Sequence, residues 1–315
     1  MNRVLILGGA GFLGVNMAHF CAKRECEVHV VDSLDHLCET GKERLALLPK
    51  GVVFTQDTVA GISCNPALLK QYDAIFHCAG QSSHPNSMQR PLYDLEHNCR
   101  HTLMFLEAMR ASGSNAPIVY AGSSTVIGQA VRELVDEAHQ ERPRDIYSAH
   151  KGVAEKYHLI YRRAYDVNTV PLRFTNLYGP YGKTKSDFGF VNYFIGQAIR
   201  GEPITIYGEG YQRRNLLYVE DACDAMWRAA KAAKILFDGP YFVAGGIHYN
   251  VAEVARYVAR VFGGRVKSIP WPQERIRIEI GDIQIRSDKF ALPSGWRPRY
   301  TLQEGLEKTK EVMGD

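Results

Sequence analysis

The chain has 315 residues, is 45% hydrophobic and 23% charged, and carries a formal net charge of +4. This is ordinary for a globular enzyme with a sizeable core, too weakly basic for a dedicated nucleic-acid binder, and compatible with an anionic ligand. Seven cysteines, an odd number without a CxxC pair, read as buried free thiols rather than a disulfide framework, and eleven histidines lack a metal-binding spacing such as HExxH, so no metal is expected.

Val4-Leu5-Ile6-Leu7 is an apolar run suited to a central parallel strand buried on both faces. It leads into Gly8-Gly9-Ala10-Gly11-Phe12-Leu13-Gly14 and a helical pattern over 12–23. Strand, glycine turn and helix in this order predict a dinucleotide site. Gly8 permits the tight turn, Gly11 lets a pyrophosphate approach, and Gly14 lets helix and strand pack. Phe12 and Leu13 open the helix, whose N-terminus favours an anion. A second strand over 28–31 ends at Asp32, followed by Ser33. Asp32 falls where a carboxylate takes the adenosine ribose hydroxyls and repels a 2′-phosphate, and no cation follows before Lys42. The expected cofactor is therefore NAD rather than NADP.

A third strand over 52–55 places Asp57 and Thr58 at its C-terminal end, near the adenine or in a plain turn. A fourth over 74–77 continues into Cys78-Ala79-Gly80, small residues that let a flat cofactor pass; His77 reads as packed. The pattern over 91–110 is helical, and Asn98 inside it calls for a specific partner near the site. A fifth strand over 118–121 runs into Gly122-Ser123-Ser124-Thr125, hydroxyls well placed for a ligand. Asp145 then caps a helix carrying Tyr147 and Lys151, four residues apart on one face. There the ammonium is expected to stabilise a phenolate and lower the tyrosine's proton affinity. A sixth strand spans 168–174, and helices follow near 189–200, 220–234, 250–262 and 302–313. The alternation predicts an α/β doubly wound parallel sheet. Residues 1–176 form the cofactor domain, and 177–315 a smaller lobe with some strands returning to the main sheet.

Together these stretches resemble the extended short-chain dehydrogenase/reductase family, in its nucleotide-sugar epimerase/dehydratase branch. The likeness runs nearly end to end. It includes the glycine loop, Asp32, His77-Cys78-Ala79-Gly80, Asn98, the serine cluster and Tyr147/Lys151. It continues through Arg173-Phe174-Thr175-Asn176-Leu177-Tyr178-Gly179-Pro180, Ile204-Thr205-Ile206-Tyr207-Gly208-Glu209-Gly210, Gln212-Arg213-Arg214-Asn215 and Gly295-Trp296-Arg297-Pro298. The resemblance implies a Rossmann-type fold with a C-terminal α/β substrate lobe. It makes Tyr147 the acid/base for a sugar hydroxyl, Ser123 its hydrogen-bonding partner and Lys151 the residue that holds the nicotinamide ribose. Asn176, Tyr207 and Arg214 look like nucleotide-diphosphate contacts. Arg277 is the candidate for a second clamp, although it stands apart from Gly281-Asp282.

The departures bear on the reaction. Dehydratases of this branch carry an Asp-Glu pair where this chain has Ser124 and Thr125, so water elimination is disfavoured. Ser82, Ser83 and His84, in a segment similar to the CDP-tyvelose 2-epimerase group, are expected toward the sugar. The leading expectation is a nucleotide-sugar epimerase, at C4 before C2. A keto-sugar-nucleotide reductase or dehydrogenase comes next, then a dehydratase. A regulatory or RNA-associated module is the non-enzyme alternative, against which Ser123, Tyr147 and Lys151 all stand. A homodimer through the helices near 92–111 and 145–165 is expected. No leader pattern and no apolar run of membrane-spanning length is found, so the expected location is the cytoplasm.

Overall fold

A computed structural model describes residues 1–35, 41–186, 188–273, 276 and 279–314. Fourteen strands are described. Seven form the main sheet: β1 (Arg3–Leu7), β2 (Glu27–Asp32), β3 (Val53–Gln56), β4 (Ala74–His77), β5 (Ile118–Ser123), β7 (Thr169–Phe174) and β11 (Tyr241–Val243). Their order is β11-β7-β5-β4-β1-β2-β3, with parallel neighbours throughout. The family fold expected from the sequence is present. β11 lies beyond residue 176 in the chain and still pairs with β7, Tyr241 opposite Leu172 and Val243 opposite Phe174.

The apolar run of β1 is buried on both faces for a simple reason: successive side chains point to opposite sides. Val4 and Ile6 pack with Met17, Phe76 and Met226. Leu5 and Leu7 pack with Ile75, Phe105 and Tyr161. The helix Phe12–Ala22 covers the first face with the helix Val219–Lys231, and the helices His101–Ser112 and Ile146–Tyr165 cover the second.

Shorter strands build the remainder. β8 (Asn176–Tyr178) runs parallel to β10 (Arg213–Tyr218), which pairs antiparallel with β12 (His248–Asn250). β9 (Ile204–Tyr207) pairs with β13 (Val266–Ile269), and β6 (Leu134–Val135) with β14 (Gln284–Ile285). A further core of Phe194, Ile206, Leu216, Val254 and Leu306 lies under the helices Phe190–Ile199, Val251–Phe262 and Leu302–Met313. The last two helices start with full capping boxes, Asn250 with Glu253 and Thr301 with Glu304, which satisfy the donors a helix start leaves free.

The helical pattern over 91–110 is one continuous helix to Ser112, with a π-turn at Glu96–Arg100. Such one-residue expansions collect at functional sites. No described helix is long and apolar enough to cross a membrane. Six described cysteines are free, and Cys38 lies outside the described residues.

Candidate active site

In an open parallel sheet, ligands bind at the C-terminal strand ends where the strand order reverses. Here the reversal lies between β1 and β4. A cavity of about 470 Å³ opens there, within the range of small-molecule and cofactor sites.

The glycine loop forms its floor. Gly8 has φ +73°, and a Cβ on it would come within 2.5 Å of the Ala79 backbone. That places the loop after β1 against the turn after β4. A Cβ on Gly14 would come 2.2 Å from the Gly8 carbonyl oxygen, so helix and loop meet backbone to backbone. A Cβ on Gly11 meets the Gly8 oxygen at 3.1 Å and nothing nearer. Gly11, Phe12 and Leu13 line the cavity, and the helix they open has no acidic residue in its first turn to compete with an anion.

Asp32 ends β2 at the cavity wall. Its Oδ2 accepts the Ala10 N–H at 3.0 Å and its Oδ1 the Leu34 N–H at 2.9 Å, which ties the carboxylate to the glycine loop. Ser33, Asp57 and Thr58 line the cavity beside it. Thr58 also caps the helix Val59–Ser63, accepting from the Gly61 N–H at 2.9 Å. Cys78, Ala79 and Gly80 line the opposite wall.

Asn98 requires a correction. It does not line the cavity; it stands behind Gly80 in the π-turn, donating to the Gln81 carbonyl and to Asp94, each at 3.0 Å. A Cβ on Gly80 would come 2.4 Å from the Asn98 Oδ1. The amide shapes the wall and does not form its surface.

Ser123, Thr125, Tyr147 and Lys151 meet at the far end of the cavity. The Tyr147 helix is fixed at its start by Asp145, whose Oδ1 accepts the Ser148 N–H at 2.8 Å, the cap expected from the sequence. The Tyr147 N–H donates to the Ser87 hydroxyl at 3.1 Å. Ser123 Oγ and Thr125 Oγ1 are 2.8 Å apart, and Ser123 reaches the Tyr147 phenol. Burial raises the Tyr147 pKa, while the Ser123 hydrogen bond works the other way and favours the phenolate. The expectation that Lys151 lowers the tyrosine is not met in this arrangement. The Lys151 ammonium donates to the Ala121 carbonyl at 2.6 Å and lies 4.4 Å from the centre of the Tyr120 ring. Burial brings Lys151 itself down to about 8. If its charge is needed for turnover, kcat/KM falls as pH rises above about 8 and Lys151 loses its proton. A pH–rate profile flat to about pH 10 would refute that.

The expected substrate residues divide. Ser82, His84, Thr125 and Asn176 line the cavity; Ser83 and Ser124 are buried and do not. Ser83 caps the helix His84–Gln89 instead. Tyr207 and Arg214 also stand outside this cavity. Tyr207 packs on Trp271, ring centres 5.3 Å apart. The Arg214 guanidinium is held by Glu279 at 2.5 Å and by the Gly281 carbonyl at 2.6 Å, so its charge is already paired. Arg277 lies outside the described residues.

Sequence reasoning missed Asp35, Tyr93, His97, His101 and Lys183 in the cavity wall. Tyr93, His97 and His101 recur every fourth residue, a one-face spacing that was available as a signal. Tyr93 donates to Asp35 at 2.7 Å, joining this helix to the loop after β2. His77 is packed as expected, against Phe105, Tyr120 and His158, and burial lowers it to about 3. Among the described residues no His, Cys, Asp and Glu group is placed to hold a metal.

The model of the NAD dependent epimerase/dehydratase family matches residues 4–252. The chain belongs to this family. It is therefore an enzyme of a family of NAD-dependent epimerases and dehydratases. The chain is 27% identical to CDP-paratose 2-epimerase of Salmonella typhi over 335 residues, covering 97% of each. It is 27% identical to UDP-glucose 4-epimerase of Mycolicibacterium smegmatis over 318 residues, covering 99% of this chain and 98% of the relative. A Thermus thermophilus UDP-glucose 4-epimerase solved in complex with NAD superposes with a TM-score of 0.83 at 29% identity, covering 98% and 97% of the two chains. The cofactor expected from the sequence agrees with the family. The site also fits a dinucleotide on its own geometry, with a left-handed glycine turn, an open approach at Gly11, a helix start clear of acids, and a ribose-side carboxylate at Asp32.

Proposed function

We propose that this family member is a nucleotide-sugar epimerase that oxidises one sugar carbon transiently and reduces it again without facial preference, at C4 before C2. What carries the reading is one arrangement. Ser123, Tyr147 and Lys151 converge at one end of a cavity whose other end is the glycine loop and Asp32. The carboxylates lining that cavity, Asp32, Asp35 and Asp57, end or follow β2 and β3 at the cofactor end. Ser124 and Thr125 add none beside the tyrosine, which speaks against elimination of water.

Tyr147 takes the proton of the sugar hydroxyl, aided by the hydrogen bond from Ser123. The Thr125 N–H donates to the Ser123 Oγ at 3.2 Å, which holds the serine hydroxyl in place beside the phenol. Lys151 would hold the cofactor ribose from its place on the Ala121 carbonyl. NAD, which the glycine loop, Asp32 and Lys151 would hold, would supply reversible hydride chemistry, so no net reduction is expected on turnover. Asn176 and Lys183 are the polar and cationic groups of the wall for the substrate's diphosphate. Arg214 joins them only by leaving Glu279.

The test is a panel of UDP-, CDP-, GDP- and dTDP-sugars with products read by NMR and absorbance followed at the NADH band. Interconversion of two epimers without an absorbance change supports the reading; stoichiometric NADH consumption would favour the keto-sugar reductase instead. The C2 alternative rests on the Gln81–His84 segment and on the 27% identity to the CDP-paratose enzyme. Asp32 leads to a separate expectation. NADP should bind about 10-fold or more weakly than NAD, because its 2′-phosphate meets that carboxylate, and equal affinities in a titration would contradict it.

The assembly proposed is a homodimer through the helices of 91–112 and 146–165. Their apolar side chains Leu92, Leu95, Val153 and Ile160 stand exposed in the single chain. Light scattering should give the mass of two chains; a one-chain mass would remove the proposal.

A further inference from the structure

One buried carboxylate behind the site has no part in the reaction just described. Asp94 is fully buried, in the helix Pro91–Leu95 just before the π-turn, and does not line the cavity. Three side-chain N–H groups converge on it. Gln81 Nε2 donates to its Oδ2 at 2.6 Å, and its Oδ1 accepts from Asn98 Nδ2 at 3.0 Å and His150 Nδ1 at 2.7 Å. An ionised carboxylate only accepts, so it suits three donors and keeps the His150 proton on Nδ1.

Each donor belongs to a different part of the site. Gln81 begins the segment after β4 whose Ser82 and His84 line the cavity. Its amide folds back on that segment, donating to the Ser83 carbonyl at 2.9 Å and accepting the Ser83 N–H. Asn98 stands behind Gly80 in the π-turn. His150 lies on the helix Ile146–Tyr165, between Tyr147 and Lys151. The Cys99 thiol adds a second tie from the π-turn, donating to the His150 carbonyl at 3.6 Å.

The carboxylate also brings charge. Burial lowers the Lys151 pKa, and Cys78, Asp94, Cys99 and Glu155 raise it. Burial keeps the two thiols protonated, and Glu155 is already paired with Arg173. Of the four, Asp94 is the anion not spent on a guanidinium. His77 and His158, held neutral by burial, and the Tyr120 ring complete the surroundings of the ammonium.

We propose that Asp94 is a positioning residue of the active site: through Gln81 and His150 it sets the sugar-end wall against the helix of Tyr147 and Lys151, and its charge holds the Lys151 ammonium. The role rests on the epimerase reading for the reaction it serves. Asparagine would keep the shape, lose the charge and turn an amide donor toward one of the three donors already there.

The first test needs no substrate. Carbon-13 NMR of lysine-labelled holoenzyme, assigned with Lys151→Met, follows the Lys151 titration. An anion favours the ammonium, so Asp94→Asn should lower that midpoint by about 0.5 pH unit or more. The alkaline fall in kcat/KM should move the same way. A midpoint that stays or rises overturns the proposal, whatever the enzyme turns over. The second test is kinetic and breaks one contact only. His150→Ala should keep its NAD and lower kcat about 10-fold per folded molecule, since small misplacements of reacting groups are costly. His150→Asn, whose amide N–H can meet Asp94 from nearly the same place, should recover about 3-fold or more of that loss. A wild-type kcat in His150→Ala, or no recovery in His150→Asn, overturns the proposal. A wild type that converts none of the sugar panel refutes the epimerase reading instead, and the Lys151 titration still decides where Asp94 acts.

Discussion

Tyr147→Phe should lower kcat by about 1,000-fold or more while the purified protein keeps its NAD. The variant removes one oxygen from a half-buried ring and leaves the ring's packing against His84 intact. It deletes the atom at which the proton of the sugar hydroxyl is received. Acid–base groups contribute about 100- to 10,000-fold, and phenylalanine offers no atom that can accept the proton, so the loss belongs in the upper half of that range. The glycine loop, Asp32 and Lys151 are untouched, so the cofactor content should not change. Release of NAD measured after denaturation, with single-turnover absorbance, separates the two effects. A variant that retains a tenth of the activity would remove Tyr147 from the role. A variant that loses NAD would show that the ring mainly shapes the pocket.

Glu155→Ala should cost about 3–5 kcal/mol of stability, the range for breaking a buried pair by removing one partner. Arg173 is 2% exposed in β7, and its guanidinium meets both Glu155 oxygens at 2.7 Å. Glu141 is its second carboxylate partner. Without Glu155 the cation would stay in the interior with half its compensation, and its Nη1 already has no hydrogen-bond partner. Arg173 pairs with Gly122 and Phe174 with Ser123 across β5 and β7, so the damage should reach the serine. Urea titration measures the loss. Replacing Arg173 and Glu155 together by apolar residues of similar volume should cost less than Glu155→Ala alone. If Glu155→Ala unfolds at the wild-type midpoint, the pair contributes nothing measurable.

Much of the fold was legible because its central strands β1 and β4 are buried on both faces and therefore read as largely apolar runs. The glycine loop was legible because backbone geometry there leaves no room for a Cβ. Tyr147, Lys151 and the Asp145 cap were legible because their relation is local, within one helix. Contacts across long separations were not. Nothing in the residues around Arg214 announces that Glu279, 65 positions away, holds its guanidinium. The pairing of His84 with Asp145 spans 61 positions and is equally silent. Asn98 was expected at the cofactor, and its place behind Gly80 depends on a π-turn that no helical periodicity reveals. β11 has three residues, too few to show a pattern, and its place in the sheet comes from its pairing with β7.

That late strand constrains how substrate preference can be exchanged between relatives. A chimera joined after residue 176 would take the last rung of one parent's ladder from the other. The outer edge of β7 would then rest against a foreign side-chain row, or stand bare and invite association with other chains. Swaps that retain this chain's own 239–245 segment should keep the protein dispersed, and those that discard it should precipitate.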